Sequence, residues 1–170
     1  QTTGGVIVVS ANFDWANGKC PAFCTPDVSY HGVVYTERFG RAAYIVKARV
    51  QLMRDIGAQQ NPFAAYIINL GLETLHLRMP RHCSNALAVA NHLEKHPRVA
   101  WINYPGLESS PARALARKYL PDGVCGVVSF GVKGGREAAT RFMDGLKLAA
   151  IVTHVADART CILHPASTTH

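Results

Sequence analysis

Gly5-Val6-Ile7-Val8-Val9 is a short, wholly apolar run rich in β-branched residues. Such a run has no polar face to turn toward water. It therefore predicts a strand buried on both sides, as in a parallel sheet, and places the chain in the α/β class. Before it, Gln1-Thr-Thr-Gly4 carries neither a basic segment nor an apolar core, so it does not read as a secretory signal. An opening without Met that runs straight into a strand is expected to lie inside a larger fold, and Ser167-Thr-Thr-His170 stops as abruptly after a strand-like stretch. Beyond the run, residues 11–40 read as irregular, because Asn17-Gly18, Pro21, Pro26, Gly32 and Gly40 interrupt any period. A segment of that length without regular structure is usually functional or packed on a partner.

Helical periods follow. Ala42, Ile45, Val46, Met53 and Ile56 recur at helical spacing and Gly57 supplies a stop, which predicts a helix over 41–56. Asn61-Pro62 reads as an N-cap and first-turn proline opening an apolar helix from Phe63 to about Leu70, expected to be buried all round. The longest helix is predicted over Glu73–Lys95, with Leu75, Met79, His82, Ala86, Val89 and Leu93 on one face and a kink near His76–Met79 caused by Pro80. After His96-Pro97 the elements shorten, and a domain boundary is expected there. The predicted order is a strand over Val99–Tyr104, a helix over Pro111–Tyr119 capped by Ser110, a turn at Pro121-Asp-Gly123, a strand over Val124–Val132, a helix over Arg136–Leu148 and a strand over Thr160–Leu163. This is a small α+β layer.

Composition narrows the function. The chain has 170 residues, 48% of them hydrophobic, enough for one domain or parts of two. Its longest apolar runs fall well short of the roughly 18–20 residues of a membrane helix, so no membrane partner is expected. The net charge of +7 raises the question of nucleic acid. The basic residues are nevertheless spread along the chain, with no run longer than Arg117-Lys118 and no interleaved aromatics, and a solvated basic surface is the plainer reading. Five cysteines, an odd number set mostly in apolar patterns, fit a reducing, cytoplasmic compartment. Cys20 and Cys24 with His31 are spaced more loosely than a zinc knuckle and no second pair follows, so no metal site is expected.

Local chemical motifs are absent. Gly131-Val-Lys-Gly134 has the wrong glycine count for a phosphate loop, and no nucleophile elbow or His-Glu-x-x-His helix is present. His76, His82 and His92 lack the four-residue spacing of paired ligands on one helix face and read as packing or surface residues.

Longer signatures carry more information. Ser29-Tyr-His-Gly32; Asn69-Leu-Gly-Leu-Glu-Thr-Leu75 with Leu77-Arg-Met79 and Arg81-His82; Val128-Ser-Phe-Gly-Val-Lys-Gly-Gly135; and Asp157-Ala-Arg-Thr-Cys-Ile-Leu-His-Pro-Ala-Ser-Thr-Thr-His170 come in one order along nearly the whole chain. In that order and spacing they resemble the Cys/Met-metabolism enzymes that use pyridoxal 5′-phosphate (PLP), and most closely their O-acetylhomoserine sulfhydrylase branch. The resemblance implies an α/β fold of the aspartate-aminotransferase type, fold type I. Residues 1–96 would be the C-terminal part of the large cofactor domain, and residues 97–170 a truncated small C-terminal domain.

It also implies PLP as cofactor, O-acetylhomoserine with sulfide or methanethiol as substrates, and a homo-oligomer built as a dimer of dimers. In such an enzyme PLP is the electron sink, a lysine shuttles protons and an arginine fork holds the substrate carboxylate. The matching lysine would precede Gln1 and the arginine would follow His170, so no catalytic or cofactor-binding residue is expected within the chain itself. The family's Ser-Leu pair beside the substrate carboxylate matches Thr160-Cys161, which become the candidate substrate-binding residues. Thr160 reads equally well as a β-branched strand residue selected for packing. Gln1–Thr3 would lie near the site without touching it. The chain departs from the family at Pro80, His154 and Ala156. Two other readings follow from the same residues: a cystathionine γ-synthase or γ-lyase of the same family, or a non-catalytic product acting only in oligomerisation.

Overall fold

The computed structural model describes residues 2–154 and 157–168. Gln1, Ala156 and His170, on which some expectations fell, lie outside the described residues. The chain divides into two compact units, Gln1–Glu73 and Thr74–His170.

In the first unit, Gly5–Val9 forms no strand. Val6, Ile7 and Val8 are 85%, 61% and 85% exposed, and residues 2–10 adopt no regular structure. A strand exists only where a neighbouring ladder takes up its N–H and C=O groups, and among the described residues this unit contains no strand to provide one. The stretch 11–40 is more ordered than the sequence indicates, with α1 (Pro21–Cys24), a 3-10 turn (Val28–Tyr30) and α2 (Tyr35–Phe39). Aromatic packing holds it together. Trp15 stacks on Tyr44 at 4.9 Å and contacts Phe13 and Phe23 edge-on or tilted, while Tyr35 and Ala43 are fully buried. The predicted helix over 41–56 is present as α3 (Ala43–Lys47), a π-helical segment (Ala48–Met53) and α4 (Arg54–Ile56), ended by Gly57 in the left-handed region at φ 73°. Asn61 caps α5 (Pro62–Glu73) as expected, its side-chain oxygen accepting from the Phe63 N–H at 2.9 Å. Helix α5 is not buried all round, however: Phe63, Tyr66, Leu70 and Leu72 are exposed.

The second unit is built on α6 (Leu75–Glu94), which continues through Pro80. Its buried face contains Ala86 and Ala90, whereas Met79 and Val89, expected on that face, are exposed. Small residues lie against the sheet because α6 packs close to β1 (Val99–Asn103). The core is Ala86, Ala90, Tyr104 and Leu107, with Ile102, Val124, Cys125 and Val128 against it. Strand β1 pairs antiparallel with β2 (Ser129–Val132) in the register Trp101–Gly131 and Ile102–Phe130. This second strand is shorter than the predicted 124–132, because Val124, Cys125 and Val128 are taken up by the core and not by the ladder. Helix α7 (Arg113–Tyr119) starts two residues later than predicted, with Ala112 at its N-cap. Helix α8 (Gly135–Asp144) ends four residues before Leu148, which is exposed. The last expected strand is β4 (Cys161–Ile162), paired in parallel with β3 (Ala150–Ile151) as a second two-stranded sheet, and α9 (Pro165–Thr168) follows. The described residues thus contain two small sheets in place of one layer.

Candidate functional site

The candidate residues Thr160 and Cys161 lie at the start of β4. The Thr160 carbonyl accepts from the Ala150 N–H at 3.0 Å, and the Ile162 carbonyl from the Val152 N–H at 3.2 Å. These bonds pin the backbone and leave the Thr160 side chain exposed. The Cys161 thiol, half-buried, donates to the Arg159 carbonyl at 3.5 Å.

Immediately upstream, Asp157 gathers donors. Its carboxylate accepts from the Arg159 N–H at 2.9 Å and from the Arg159 guanidinium at 3.3 and 3.4 Å, and it contacts the His154 ring Nδ1 at 3.2 Å. The Arg159 N–H leads these partners in holding the carboxyl well below the usual carboxylate range. Downstream, the His164 Nδ1 and the Ser167 hydroxyl lie 2.8 Å apart, and the His164 carbonyl accepts from the Ser167 and Thr168 N–H groups. Arg136, in the first turn of α8, reaches the Ser167 hydroxyl at 3.4 Å. Asp157 and Arg159 belong to the last signature stretch and Arg136 opens a predicted helix, but the sequence marks none of the three as a site residue. The first two carried a legible signal, an acid two residues before an N–H that it can accept.

A cavity of about 400 Å³ in the same unit is lined by Pro80, Cys83, Leu87, Tyr104, Arg113 and Leu120 among others, and neither Thr160 nor Cys161 reaches it. Burial pushes the Cys83 thiol up, which makes it a poor nucleophile at that wall.

In the first unit, Ser29-Tyr-His-Gly32 is organised by Asp27. The Asp27 carboxylate accepts from the Ser29 N–H at 3.0 Å, the Ser29 hydroxyl at 2.6 Å and Lys47 Nζ at 2.7 Å. The Gln51 amide donates to the Ser29 hydroxyl at 2.6 Å, and Lys47 also donates to the Ala22 carbonyl at 2.9 Å and sits 4.9 Å from the Tyr35 ring centre. His31 takes the left-handed conformation at φ 56°. Among the described residues, no group of three His, Cys, Asp or Glu side chains is arranged to hold a metal ion.

A profile of the Cys/Met metabolism PLP-dependent enzymes matches residues 2–170. The homocysteine synthase of Schizosaccharomyces pombe is 49% identical over 99% of this chain and 40% of its own length. The O-acetyl-L-homoserine sulfhydrylase of Leptospira meyeri is 47% identical over 98% of this chain, again 40% of its own length. This chain therefore spans about two-fifths of these relatives. Among solved structures, one described as an O-acetylhomoserine (thiol)-lyase of Campylobacter jejuni, carrying a pyridoxyl-lysine monophosphate, superposes with a TM-score of 0.75 at 38% identity over 88% of this chain and 35% of that one. The O-acetylhomoserine sulfhydrylase of Wolinella succinogenes gives 0.64 at 35% identity over 74% of this chain and 36% of that one.

Lys19, Lys95, Lys118, Lys133 and Lys147 are exposed, and Lys47, the one half-buried amine, is committed to Asp27 and the Ala22 carbonyl. The fold is that of PLP-dependent transferases, α/β of fold type I. By its signatures, its profile match and its structural neighbours, the chain belongs to the Cys/Met metabolism PLP-dependent enzyme family.

Proposed function

We propose that the complete protein is a PLP-dependent O-acetylhomoserine sulfhydrylase. It replaces the acetate on the γ carbon of O-acetylhomoserine with sulfide, giving homocysteine, or with methanethiol, giving methionine. The observation that carries this reading is the near-50% identity, over almost the whole chain, to proteins named homocysteine synthase and O-acetyl-L-homoserine sulfhydrylase. In this reading the Schiff-base lysine lies outside residues 1–170. Residues 1–96 close the large cofactor domain, and residues 97–170 form part of the small domain. Thr160 and Cys161 wall the substrate carboxylate: the hydroxyl is exposed at the start of a pinned strand, free to donate a hydrogen bond to a carboxylate oxygen, while the thiol packs as a small apolar group. The enzyme works as a cytoplasmic homo-oligomer. Among the described residues, no helix is long and apolar enough to cross a membrane.

The test is turnover by the purified complete protein. With O-acetylhomoserine and sulfide, homocysteine should form at a rate that depends on both substrates. Cystathionine from cysteine as the preferred product would move the protein to the cystathionine γ-synthases. Release of 2-oxobutanoate from cystathionine would move it to the γ-lyases, and absence of any turnover would leave only a role in assembly.

A further inference from the structure

We propose that Asp157 is a positioning residue for substrate binding, acting through Thr160. The inference rests on the reading of Thr160 and Cys161 as the wall beside the substrate carboxylate.

Asp157 is the only acidic residue between Gly145 and His170, and its side chain is only 19% exposed. Its carboxylate accepts the Arg159 N–H at 2.9 Å, closing a turn in which an acid side chain fixes the backbone two residues on. The guanidinium of Arg159, at 3.3 and 3.4 Å, and the His154 ring, at 3.2 Å, brace the same carboxylate from the two sides of the turn. Thr160 is the next residue, and its own carbonyl is bound to the Ala150 N–H at 3.0 Å. The backbone entering Thr160 is thus set by Asp157 and the backbone leaving it by β3. A β-branched side chain has few rotamers, so fixing its backbone fixes where its hydroxyl points. A hydroxyl held in place before the ligand arrives binds a carboxylate without loss of ordering entropy on binding.

The experiment is a double-mutant cycle in the complete protein, read as KM for O-acetylhomoserine and kcat, with a thermal midpoint for each variant. Thr160→Val keeps the shape and removes the hydroxyl, and should raise KM by about fivefold, the size of one lost hydrogen bond. Asp157→Ala should raise KM by a similar factor with kcat little changed. The double variant should be no worse than Thr160→Val alone, because the two changes remove one interaction. Asp157→Asn keeps the oxygen that accepts the Arg159 N–H and should stay within about twofold of the parent, and if Asp157→Ala fails to fold, Asp157→Glu, which keeps the charge but moves the acceptor one methylene out of the turn, replaces it in the cycle. Unchanged KM in Asp157→Ala, or multiplied effects in the double variant, would overturn the positioning role while leaving the wall intact. Unchanged KM in Thr160→Val would overturn the wall itself, and the positioning role with it.

Discussion

Replacing Tyr104 with Phe removes one oxygen from the best-packed part of the second unit. Tyr104 is 2% exposed and lies in the core with Ala86, Ala90 and Leu107. Its hydroxyl donates to the Cys125 carbonyl at 3.0 Å, and the Cys83 carbonyl lies 3.4 Å from the same oxygen. The ring stays buried in the variant, so the apolar contribution is unchanged. What is lost is one hydrogen bond, worth about 1 kcal/mol net, and the Cys125 carbonyl is left without that donor, so the total should be about 1–2 kcal/mol. A loss of that size raises local opening roughly tenfold. The assay is amide hydrogen exchange by mass spectrometry on peptides covering 83–94 and 120–132, which report the two segments joined by this hydroxyl. Leu107→Ala, a cavity mutation in the same core, should cost about 2–5 kcal/mol and serves as the upper reference. Exchange within about twofold of the parent in Tyr104→Phe would refute the reasoning, as would an effect equal to that of Leu107→Ala. Burial also pushes the phenol up. The folded state therefore favours the neutral phenol. Its contribution is present below the ordinary value near pH 10 and is lost as pH rises through the raised folded value, a dependence that Tyr104→Phe should remove.

Two other outcomes are expected. Asp27 is held well below the usual carboxylate range, first by its hydrogen bond from Lys47 and then by Ser29; its contribution is present above the unfolded value near pH 4 and is lost as pH falls toward the lowered folded value. The fluorescence of Trp15, followed in a Trp101→Phe background, should report loosening of the 13–47 aromatic cluster in acid, and Asp27→Asn should show that loosened signal already at neutral pH. The isolated 170-residue chain exposes Val6, Ile7, Val8, Phe63, Tyr66, Leu77 and Leu148, so sedimentation should find it self-associated, and a well-behaved monomer would count against that expectation.

Where an element is specified by its own residues, the sequence was readable. Asn61 caps α5 and Gly57 ends the helix before it, because both act on backbone groups two to four residues away. Where an element depends on partners distant in sequence, the period misled. Gly5–Val9 has strand chemistry without a ladder to join among the described residues, and Val124, Cys125 and Val128 have the same chemistry but pack against a core. On α6 the expected face holds at Ala86, which is buried, and at Leu75, His82 and Leu93, which are half-buried, whereas close packing on β1 selects Ala90 over the larger Val89. The candidate wall at Thr160-Cys161 was legible only through family resemblance. The pairing of Asp27 with Lys47 spans twenty positions and leaves no local trace. Asp157 sits two residues from its donor, so the turn that it closes was within reach of sequence reasoning.

In the proposed function, this chain supplies part of the wall beside the substrate carboxylate, and the lysine that holds PLP lies outside residues 1–170. The most direct measurement is peptide mapping of the complete protein after PLP loading and borohydride reduction, which fixes the cofactor on the lysine that holds it. The account predicts one pyridoxyl-lysine per chain, outside residues 1–170. A stoichiometric pyridoxyl group on Lys19, Lys47, Lys95, Lys118, Lys133 or Lys147 would contradict it.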